Sequence, residues 1–290
     1  MTGWNESGLL YRCENRRGDA RWVLQQWHDP AALLLRVDAA GLVSVGGGGL
    51  SLPHRRPGGA YDAEAHYLLG LADGRPVFAE AGESPQMASL RDLMPVVSDA
   101  DRELVVTAVA LVNWHRTSPH CGRCGALTEV AAAGLVRHCP GCGPDRFPRS
   151  DPAIIVAVLD ADDRLVLGHQ AVWPTGQMSI LAGFVSAGES LEQTVHREVG
   201  EESGLRLSSV RYVGSQPWPF PRSLMLGFVA RAAGTRIEVD GVEIEHARWF
   251  SRDELNLAVT SGAVGLPGEA SIAHRIVAEW RAGTLPAPEG

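Results

Sequence analysis

The second half of the chain alternates short apolar runs with turns, and one long polar segment interrupts them. AIIVAVLD, which begins at Ala153, is a nearly continuous apolar run of the kind found in buried strands, and RLVLGHQ follows it after a turn as a partner strand. Further strands are predicted over QMSILAGF, RYVGSQPWPF, SLMLGFVARA and IEVDGVEIEHARWF, and a last helix over EASIAHRIVAEWRAG. Strands around one embedded helix, with another helix at the end, predict an α/β/α sandwich over residues 150–284.

Residues 1–97 show short apolar runs separated by turns. WVLQQW and ALLLRVD are interpreted as short strands, and AHYLLGLADGRPVFAEA predicts a hairpin with Asp73-Gly74 at its turn. The glycines of Gly46–Gly49 lack the Lys-Ser/Thr that follows in a phosphate-binding P-loop, so they predict a flexible hairpin loop instead. We expect a small α+β domain in this region.

A helix and two cysteine pairs occupy residues 98–149. SDADRELVVTAVALVNWHRT predicts a helix that Ser98 can cap. The pairs, each of the form Cys-x-x-Cys, are Cys121 with Cys124 and Cys139 with Cys142. Four thiolates at this spacing can close a tetrahedral Zn²⁺ site with no position left for water, which favours a structural zinc ribbon over a redox motif. Because the sulfur set is complete, we do not expect the flanking histidines to be ligands.

Composition and charge exclude some classes of protein. The chain has 290 residues, which suits two domains, or two plus a small module, and a net charge of −8 argues against a general polyanion binder. It contains no lysine, so any phosphate clamp must use arginine. The N-terminus has no apolar core of signal-peptide length and no stretch is long enough to span a membrane, which predicts a soluble cytoplasmic protein without membrane contact. Residues 285–290 form a proline-rich tail.

The polar segment Gly183–Leu205 carries the strongest chemical signal. Ser190 and Gln193 are spaced as a capping box, and Gly204 is placed to end the helix in a left-handed conformation. Glu198, Glu201 and Glu202 then project from one side of the helix. A solvated acidic face is the simpler interpretation of such a helix, but repelling carboxylates also suit a hard divalent cation, Mg²⁺ or Mn²⁺.

The segment follows the pattern G-x5-E-x7-R-E-U-x-E-E-x-G-U, where U is a bulky aliphatic residue. This pattern resembles the Nudix box of nucleoside-diphosphate-X hydrolases, and every defined position is filled. The resemblance implies the Nudix α/β/α fold and metal-assisted hydrolysis of a pyrophosphate. It also implies that Arg197 orders the box by pairing with Glu189.

A second motif lies about ten residues after the box. SQPWPFPRS contains three prolines, so it predicts a rigid loop that presents Trp218 and Phe220. Such a loop can be purely structural. However, SQPWPFPRSLM resembles the signature of the NADH pyrophosphatase (NudC-type) branch of the Nudix family, and the resemblance extends to the zinc ribbon, the Phe-Pro-Arg step at Phe147 and the C-terminal SIAHR.

Membership of this branch implies a hydrolase that splits NADH or NAD⁺ into NMN(H) and AMP, removes NAD caps from RNA, and forms a homodimer whose subunits both shape each site. The metal-binding positions implied by the resemblance are Glu198, Glu202, Glu243 and the backbone of Ala182, with Glu201 for a second ion or for water. The implied substrate-binding positions are Arg91, Phe147, Phe184, Gln216, Pro217, Trp218, Pro219, Phe220, Pro221, Arg222, Ser223 and Ala273.

Three alternatives remain open from the sequence. The general base can be Glu201, Glu202 or a water activated by the metal. The substrate can be another nucleoside diphosphate derivative, such as ADP-ribose. A catalytically silent Nudix and zinc-ribbon regulator that binds nucleic acid is a third reading, although a complete set of carboxylates and a negative net charge argue against it.

Overall fold

The computed structural model describes residues 7–46, 51–52 and 55–289. Its N-terminal part is a mixed sheet with strand order β1-β4-β5-β2-β3-β6. The elements of this part are β1 (Leu10–Tyr11), a 3-10 turn (Glu14–Arg16), α1 (Ala20–Trp27), β2 (Leu33–Val37), β3 (Val43–Ser44), β4 (Tyr67–Ala72), β5 (Arg75–Ala81), β6 (Met87–Ala88), α2 (Leu90–Leu93) and α3 (Asp99–Thr117).

Helices cover both faces of this sheet. Leu34, Leu68 and Phe78 pack with Val23 and Trp27 of α1 on one face. The residues that alternate with these along β2, β4 and β5 point to the opposite face of the sheet, where they pack against α3. The predicted hairpin is confirmed: β4 and β5 pair through Asp73-Gly74, and both turn residues have positive φ.

The strand interpretation of WVLQQW is wrong, because this segment lies in α1. Asp19 caps the helix by accepting hydrogen bonds from the backbone N–H groups of Arg21 and Trp22. Val23 and Trp27, four residues apart, then share the buried side. A six-residue apolar run is too short to distinguish a strand from a helix by its period. The loop predicted at Gly46–Gly49 falls largely on positions 47–50, which lie outside the described residues.

The cysteines follow α3, whose predicted start is confirmed by a hydrogen bond from the Asp101 N–H to the Ser98 hydroxyl. A three-stranded sheet carries the two pairs. It consists of β7 (Glu129–Ala131), a 3-10 turn (Ala132–Gly134), β8 (Val136–His138) and β9 (Asp145–Arg146). The first pair precedes β7, and the second lies between β8 and β9.

The remaining elements form a second mixed sheet with strand order β13-β14-β10-β11-β15, and β12 pairs with β10 beside it. They are β10 (Asp151–Leu159), β11 (Leu165–His169), β12 (Leu181–Phe184), α4 (Leu191–Ser203), β13 (Leu207–Trp218), β14 (Ser223–Ala232), β15 (His246–Phe250), α5 (Arg252–Thr260) and α6 (Ile272–Arg281). Strand β10 is central, because it pairs parallel to β14 and antiparallel to β11 and β12.

Side chains alternate along β10 between two apolar cores. Ile154 and Val156 pack in the cluster that contains Val195 and Val199 of α4. The next positions, represented by Ile155, face the opposite core with Ile276 and Trp280 of α6. The sheet therefore lies between α4 and α6, and the predicted α/β/α sandwich is confirmed. Within the described ranges, no helix has the length and apolar character needed to cross a membrane.

Two predictions about this sheet need correction. SQPWPFPRS is not entirely a loop, since β13 continues through Trp218 and pairs with β14 until Ser223. β13 is an edge strand, where the missing N–H of Pro217 need not cost a ladder hydrogen bond. The strand predicted over IEVDGVEIEHARWF begins only at His246, because the residues before it form an irregular segment that contains an Asp-Gly turn at Asp240.

Gly227 on β14 lies close against α6. A Cβ atom there would lie 2.9 Å from Ile276 Cδ1 and 3.2 Å from the Gly214 carbonyl oxygen. We therefore expect Gly227→Ala to lower the free energy of unfolding by about 1–3 kcal/mol, as overpacked cores do. Thermal melting checks this, with Gly234→Ala as the control because a Cβ at Gly234 meets no atom within 4 Å. Equal melting temperatures for the two variants would contradict the close packing of Gly227 against α6.

Candidate active site

The box segment begins and ends as predicted. The capping box is confirmed in both directions, since the Gln193 N–H donates to the Ser190 hydroxyl and the Ser190 N–H donates to the Gln193 side chain. Gly204 ends α4 with φ 69°, a left-handed conformation that favours glycine. These two ends fix which residues of α4 face β12.

Gly183 on β12 allows α4 to approach closely. A Cβ at this position would lie 2.0 Å from the Glu198 Cδ atom, so no other residue fits without moving the carboxylate. Strand β12 is itself fixed by its pairing with β10, in which Ala182 lies opposite Ile155. The glycine of the box therefore serves to seat Glu198 against the strand.

Arg197 joins the loop, the strand and the helix. Its guanidinium donates to Glu189 at 2.7 and 2.9 Å and to the Phe184 carbonyl at 3.0 Å. The same group lies 2.8 Å from Glu198 and 3.1 Å from Glu201. These hydrogen bonds lower the pKa of Glu189 to about 2. The predicted pairing of Arg197 with Glu189 is confirmed.

Glu198 and Glu202 are buried carboxylates, with 8% and 2% of their surface exposed. Burial raises the pKa of Glu202 to about 8, and the charges of Glu198, Glu243 and Asp240 add to this effect. Burial also raises the pKa of Glu198. One oxygen of Glu202, Oε2, has no hydrogen-bond partner. A buried, unpaired carboxylate oxygen surrounded by like charge fits a cation ligand.

Glu243 reaches the same cavity from an irregular turn, and not from a strand as predicted. Asp240 holds this turn, because its side chain accepts hydrogen bonds from the backbone N–H groups of Val242, Glu243 and Ile244. The site residues predicted from the sequence did not include Asp240, although an Asp-Gly pair is a recognisable turn signal. Asp240 thus both shapes the turn and adds a negative charge.

An open cavity of about 880 Å³ brings these groups together. Its lining includes seven of the predicted site residues, namely Ala182, Phe184, Glu198, Glu201, Glu202, Ser223 and Glu243. In the part of the chain that the structure describes, these carboxylates do not place three oxygens within 4.8 Å of one another. The donor set is made of carboxylate oxygens, which hard divalent cations prefer, so the residues present fit a divalent metal site.

The four predicted zinc ligands also converge. Their sulfur atoms approach within 3.5–3.6 Å in the pairs Cys121–Cys142, Cys124–Cys139 and Cys139–Cys142. A tetrahedral site with Zn–S bonds of about 2.3 Å places sulfurs about 3.8 Å apart, so the cluster fits Zn²⁺. Disulfide-bonded sulfurs would be only about 2.05 Å apart. Arg146 Nη1 lies 3.6 Å from Cys121 Sγ and offsets part of the thiolate charge.

Comparisons with known proteins agree with both the acidic cavity and the cysteine cluster. A family model described as NUDIX domain matches residues 149–266, and one described as NADH pyrophosphatase zinc ribbon domain matches residues 116–144. The chain is 40% identical to the NAD-capped RNA hydrolase NudC of Mycobacterium bovis, across 93% of this chain and 92% of that protein. The chain belongs to the Nudix hydrolase family.

Two further relatives cover less of the sequence. The NAD-capped RNA hydrolase NUDT12 of Homo sapiens is 38% identical across 68% of this chain and 44% of that protein. A crystal structure of a Nudix hydrolase from Nitrosomonas europaea aligns with a TM-score of 0.37 and 20% identity, across 47% of this chain and 78% of that one. The family model of the ribbon and the NudC relative place this Nudix hydrolase in the NADH pyrophosphatase branch.

The aromatic residues of SQPWPFPRS connect the Nudix sheet to the N-terminal part. Trp218 and Phe220 pack edge to face at 5.1 Å and lie against the core formed by the N-terminal sheet and α3. The Arg91 guanidinium lies over both rings, 5.7 Å from Trp218 and 4.8 Å from Phe220. In this chain the three residues contact one another, and a role in substrate binding stays a prediction.

Gln216 and Arg222 are already engaged by other groups of the chain. The Gln216 amide donates to the Ala270 carbonyl at 2.7 Å and accepts from the Ile272 N–H at 2.5 Å, which fixes the start of α6 next to Ala273. Arg222 pairs with Asp151 at 2.6 Å. These contacts suit positioning of the backbone, and direct substrate contacts of Gln216, Arg222 and Ala273 stay predictions.

Phe147 lines a different cavity from the carboxylates. Its ring is 62% exposed and lines a second cavity of about 730 Å³, together with Pro217 and residues of α3 such as Arg102. The acidic cavity includes neither Phe147 nor Pro217. Of the predicted substrate residues, Phe184 and Ser223 therefore line the acidic cavity, whereas Phe147 and Pro217 line the second one.

The burial of Glu202 predicts a pH-dependent stability for the metal-free protein. Its pKa is near 4.5 in the unfolded chain and about 8 in the fold, so the folded state holds the extra proton between these values. The stability linked to that proton is complete below pH 4.5 and is lost as the pH rises through 8. Each unit of pKa difference corresponds to about 1.4 kcal/mol.

We expect Glu202→Gln to melt several degrees above the wild type at pH 8 and by a much smaller margin at pH 5, in buffer free of Mg²⁺ but with the ribbon zinc retained. Glu192→Gln is the control, because Glu192 is an exposed residue of the same helix. A difference in melting temperature between wild type and Glu202→Gln that does not change with pH would contradict the raised pKa of Glu202.

Proposed function

We propose that this Nudix hydrolase splits the pyrophosphate bond of NADH and NAD⁺ into NMN(H) and AMP and removes NAD caps from RNA. The observation that carries the proposal is the 40% identity, over 93% of the chain, to a protein named NAD-capped RNA hydrolase NudC. The acidic cavity also supports it, because carboxylates of the complete Nudix box line this cavity and pyrophosphate hydrolysis needs cations at the phosphate oxygens.

Glu198, Glu202 and Glu243, with the Ala182 backbone, would hold Mg²⁺ or Mn²⁺ in this cavity. When bound, the ions neutralise the pyrophosphate and lower the pKa of water. Arg197 positions these ligands, since it restrains Glu198 directly and holds the loop through Glu189. Arg197 already forms ion pairs with three glutamates and a hydrogen bond to one carbonyl. We therefore assign it to ordering the box and not to binding the substrate.

The other residues of the cavity would select and orient the substrate. Phe184 is 58% exposed at the edge of the cavity, where its ring can stack on a base or on nicotinamide. Ser223 lines the cavity from the start of β14. Glu201 pairs with Arg197 through one carboxylate oxygen. Its side chain is exposed, so it is available to orient water beside the buried pair Glu198 and Glu202.

Product analysis tests the proposed reaction. The protein is incubated with Mg²⁺ or Mn²⁺ and with NADH, NAD⁺, ADP-ribose or NAD-capped RNA, and the products are separated. We expect NMN(H) and AMP from the dinucleotides, and a loss of at least about 10³-fold in kcat for Glu202→Gln, with Glu192→Gln near wild type. Hydrolysis of ADP-ribose without any NMN(H) from the nicotinamide substrates would overturn the substrate assignment, and full turnover by a folded Glu202→Gln would overturn the site.

We also propose a cytoplasmic homodimer in which each site uses both subunits. The proposal is supported by the position of Phe147 and Pro217, which line a different cavity from the carboxylates of their own chain. In a two-fold dimer, a surface of one subunit can complete the cavity of the other. Phe147 of one subunit would then meet substrate that is held by Glu202 of its partner.

Mixed dimers test this arrangement. Phe147→Ala and Glu202→Gln are each expected to have low activity alone, and an equal mixture that has exchanged subunits should recover about one quarter of wild-type activity, because half of the dimers carry one intact site. Light scattering measures the dimer itself. If both variants are impaired and the exchanged mixture shows only the average of their activities, the two residues act in the same subunit.

A further inference from the structure

His169, Glu245 and His246 form a second cluster of possible metal ligands outside the acidic cavity. One ligand atom from each lies within 4.8 Å of the other two. His169 Nε2 is 3.6 Å from Glu245 Oε2, and the two imidazole rings are 4.7 Å apart. Neither the box nor the zinc ribbon uses these residues.

The fold holds the two histidines beside each other. His169 ends β11 and His246 begins β15, and they are direct cross-strand partners in the antiparallel pair. The Glu245 N–H donates to the His169 carbonyl at 2.9 Å, which fixes the register at this end of the sheet. Cross-strand partners place their side chains on one face, so the cluster follows from the pairing of the backbone.

His169 is oriented as a metal ligand would be. Its side chain is buried, with 7% exposed, and its Nδ1–H donates to the Gln177 carbonyl at 2.6 Å. A carbonyl can only accept, so Nδ1 carries a proton in this bond, and in the neutral imidazole Nε2, which lies 3.6 Å from Glu245 Oε2, is the nitrogen that can bind a cation. A hydrogen bond from the second nitrogen to a backbone carbonyl is the usual support of a metal-bound imidazole.

The neutral imidazole lone pair and the Glu245 carboxylate repel each other unless a cation or a proton lies between them. Two imidazoles and one carboxylate favour first-row transition ions over Mg²⁺. Tetrahedral ligands at about 2.1 Å from an ion lie about 3.4 Å apart, close to the distance between His169 and Glu245. Glu245 and His246 are exposed, so small side-chain movements can close the remaining distance.

We propose that His169, Glu245 and His246 bind one divalent transition-metal ion of the Zn²⁺ class. Three protein ligands leave a fourth position open to solvent. The site adjoins the acidic cavity, because only the buried residue Ile244 lies between Glu245 and Glu243 in the chain. An ion on the histidine side restrains the segment that carries Glu243.

Zinc binding to the protein with its ribbon loaded tests the proposal. Equilibrium dialysis against Zn²⁺ in excess Mg²⁺, followed by metal analysis, should find one more zinc per chain in wild type than in His246→Ala, and the apparent affinity should fall at least about tenfold in Glu245→Gln. Both residues are exposed, so these variants should fold. His28→Ala removes an exposed histidine elsewhere and should behave as wild type.

Melting temperature gives a second measurement. Zn²⁺ should raise the melting temperature of wild type and His28→Ala, but not of His246→Ala, since an ion that binds only the folded state stabilises it. Equal zinc stoichiometry and equal zinc-induced shifts in wild type, Glu245→Gln and His246→Ala would overturn the proposal.

Discussion

The acidic centre depends on one cation, Arg197, and on the absence of a side chain at Gly183. Arg197 binds Glu189, Glu198, Glu201 and the Phe184 carbonyl, and so joins a loop, a helix and a strand. Without a Cβ at Gly183, the helix comes close enough for Glu198 to lie against the strand. These two features place like charges together in a cavity where they would otherwise separate.

The same arrangement has an energetic cost. Glu202 is buried, one of its oxygens has no partner, and its pKa is raised to about 8. Unpaired buried charge destabilises a fold, and a bound cation removes that penalty. The capping box and Gly204 at the ends of α4, and the apolar packing of Val195 and Val199 beneath it, stabilise the helix that carries these carboxylates. The site therefore favours a bound divalent cation, and the same buried carboxylates make the metal-free protein less stable.

The N-terminal part and the Nudix sheet meet at the segment that the sequence marks as a substrate motif. Trp218 and Phe220 extend from the edge strand into the core of the N-terminal part, with Arg91 over their rings. Gln216 of the same strand fixes the start of α6. A change in this segment therefore alters the joint between the two parts as well as the surroundings of the active site.

The sequence by itself determined the box helix, its caps and the two cysteine pairs, because each depends on residue types at fixed local spacing. It also determined the α/β/α order, since the continuous apolar run of β10 requires burial on both faces. Only the tertiary structure decided that WVLQQW is a helix, that Glu243 lies on a turn held by Asp240, and that Phe147 lines a different cavity from the carboxylates. It alone brought His169 beside His246. These features depend on which distant segments pair and pack, and a local pattern of residues does not contain that information.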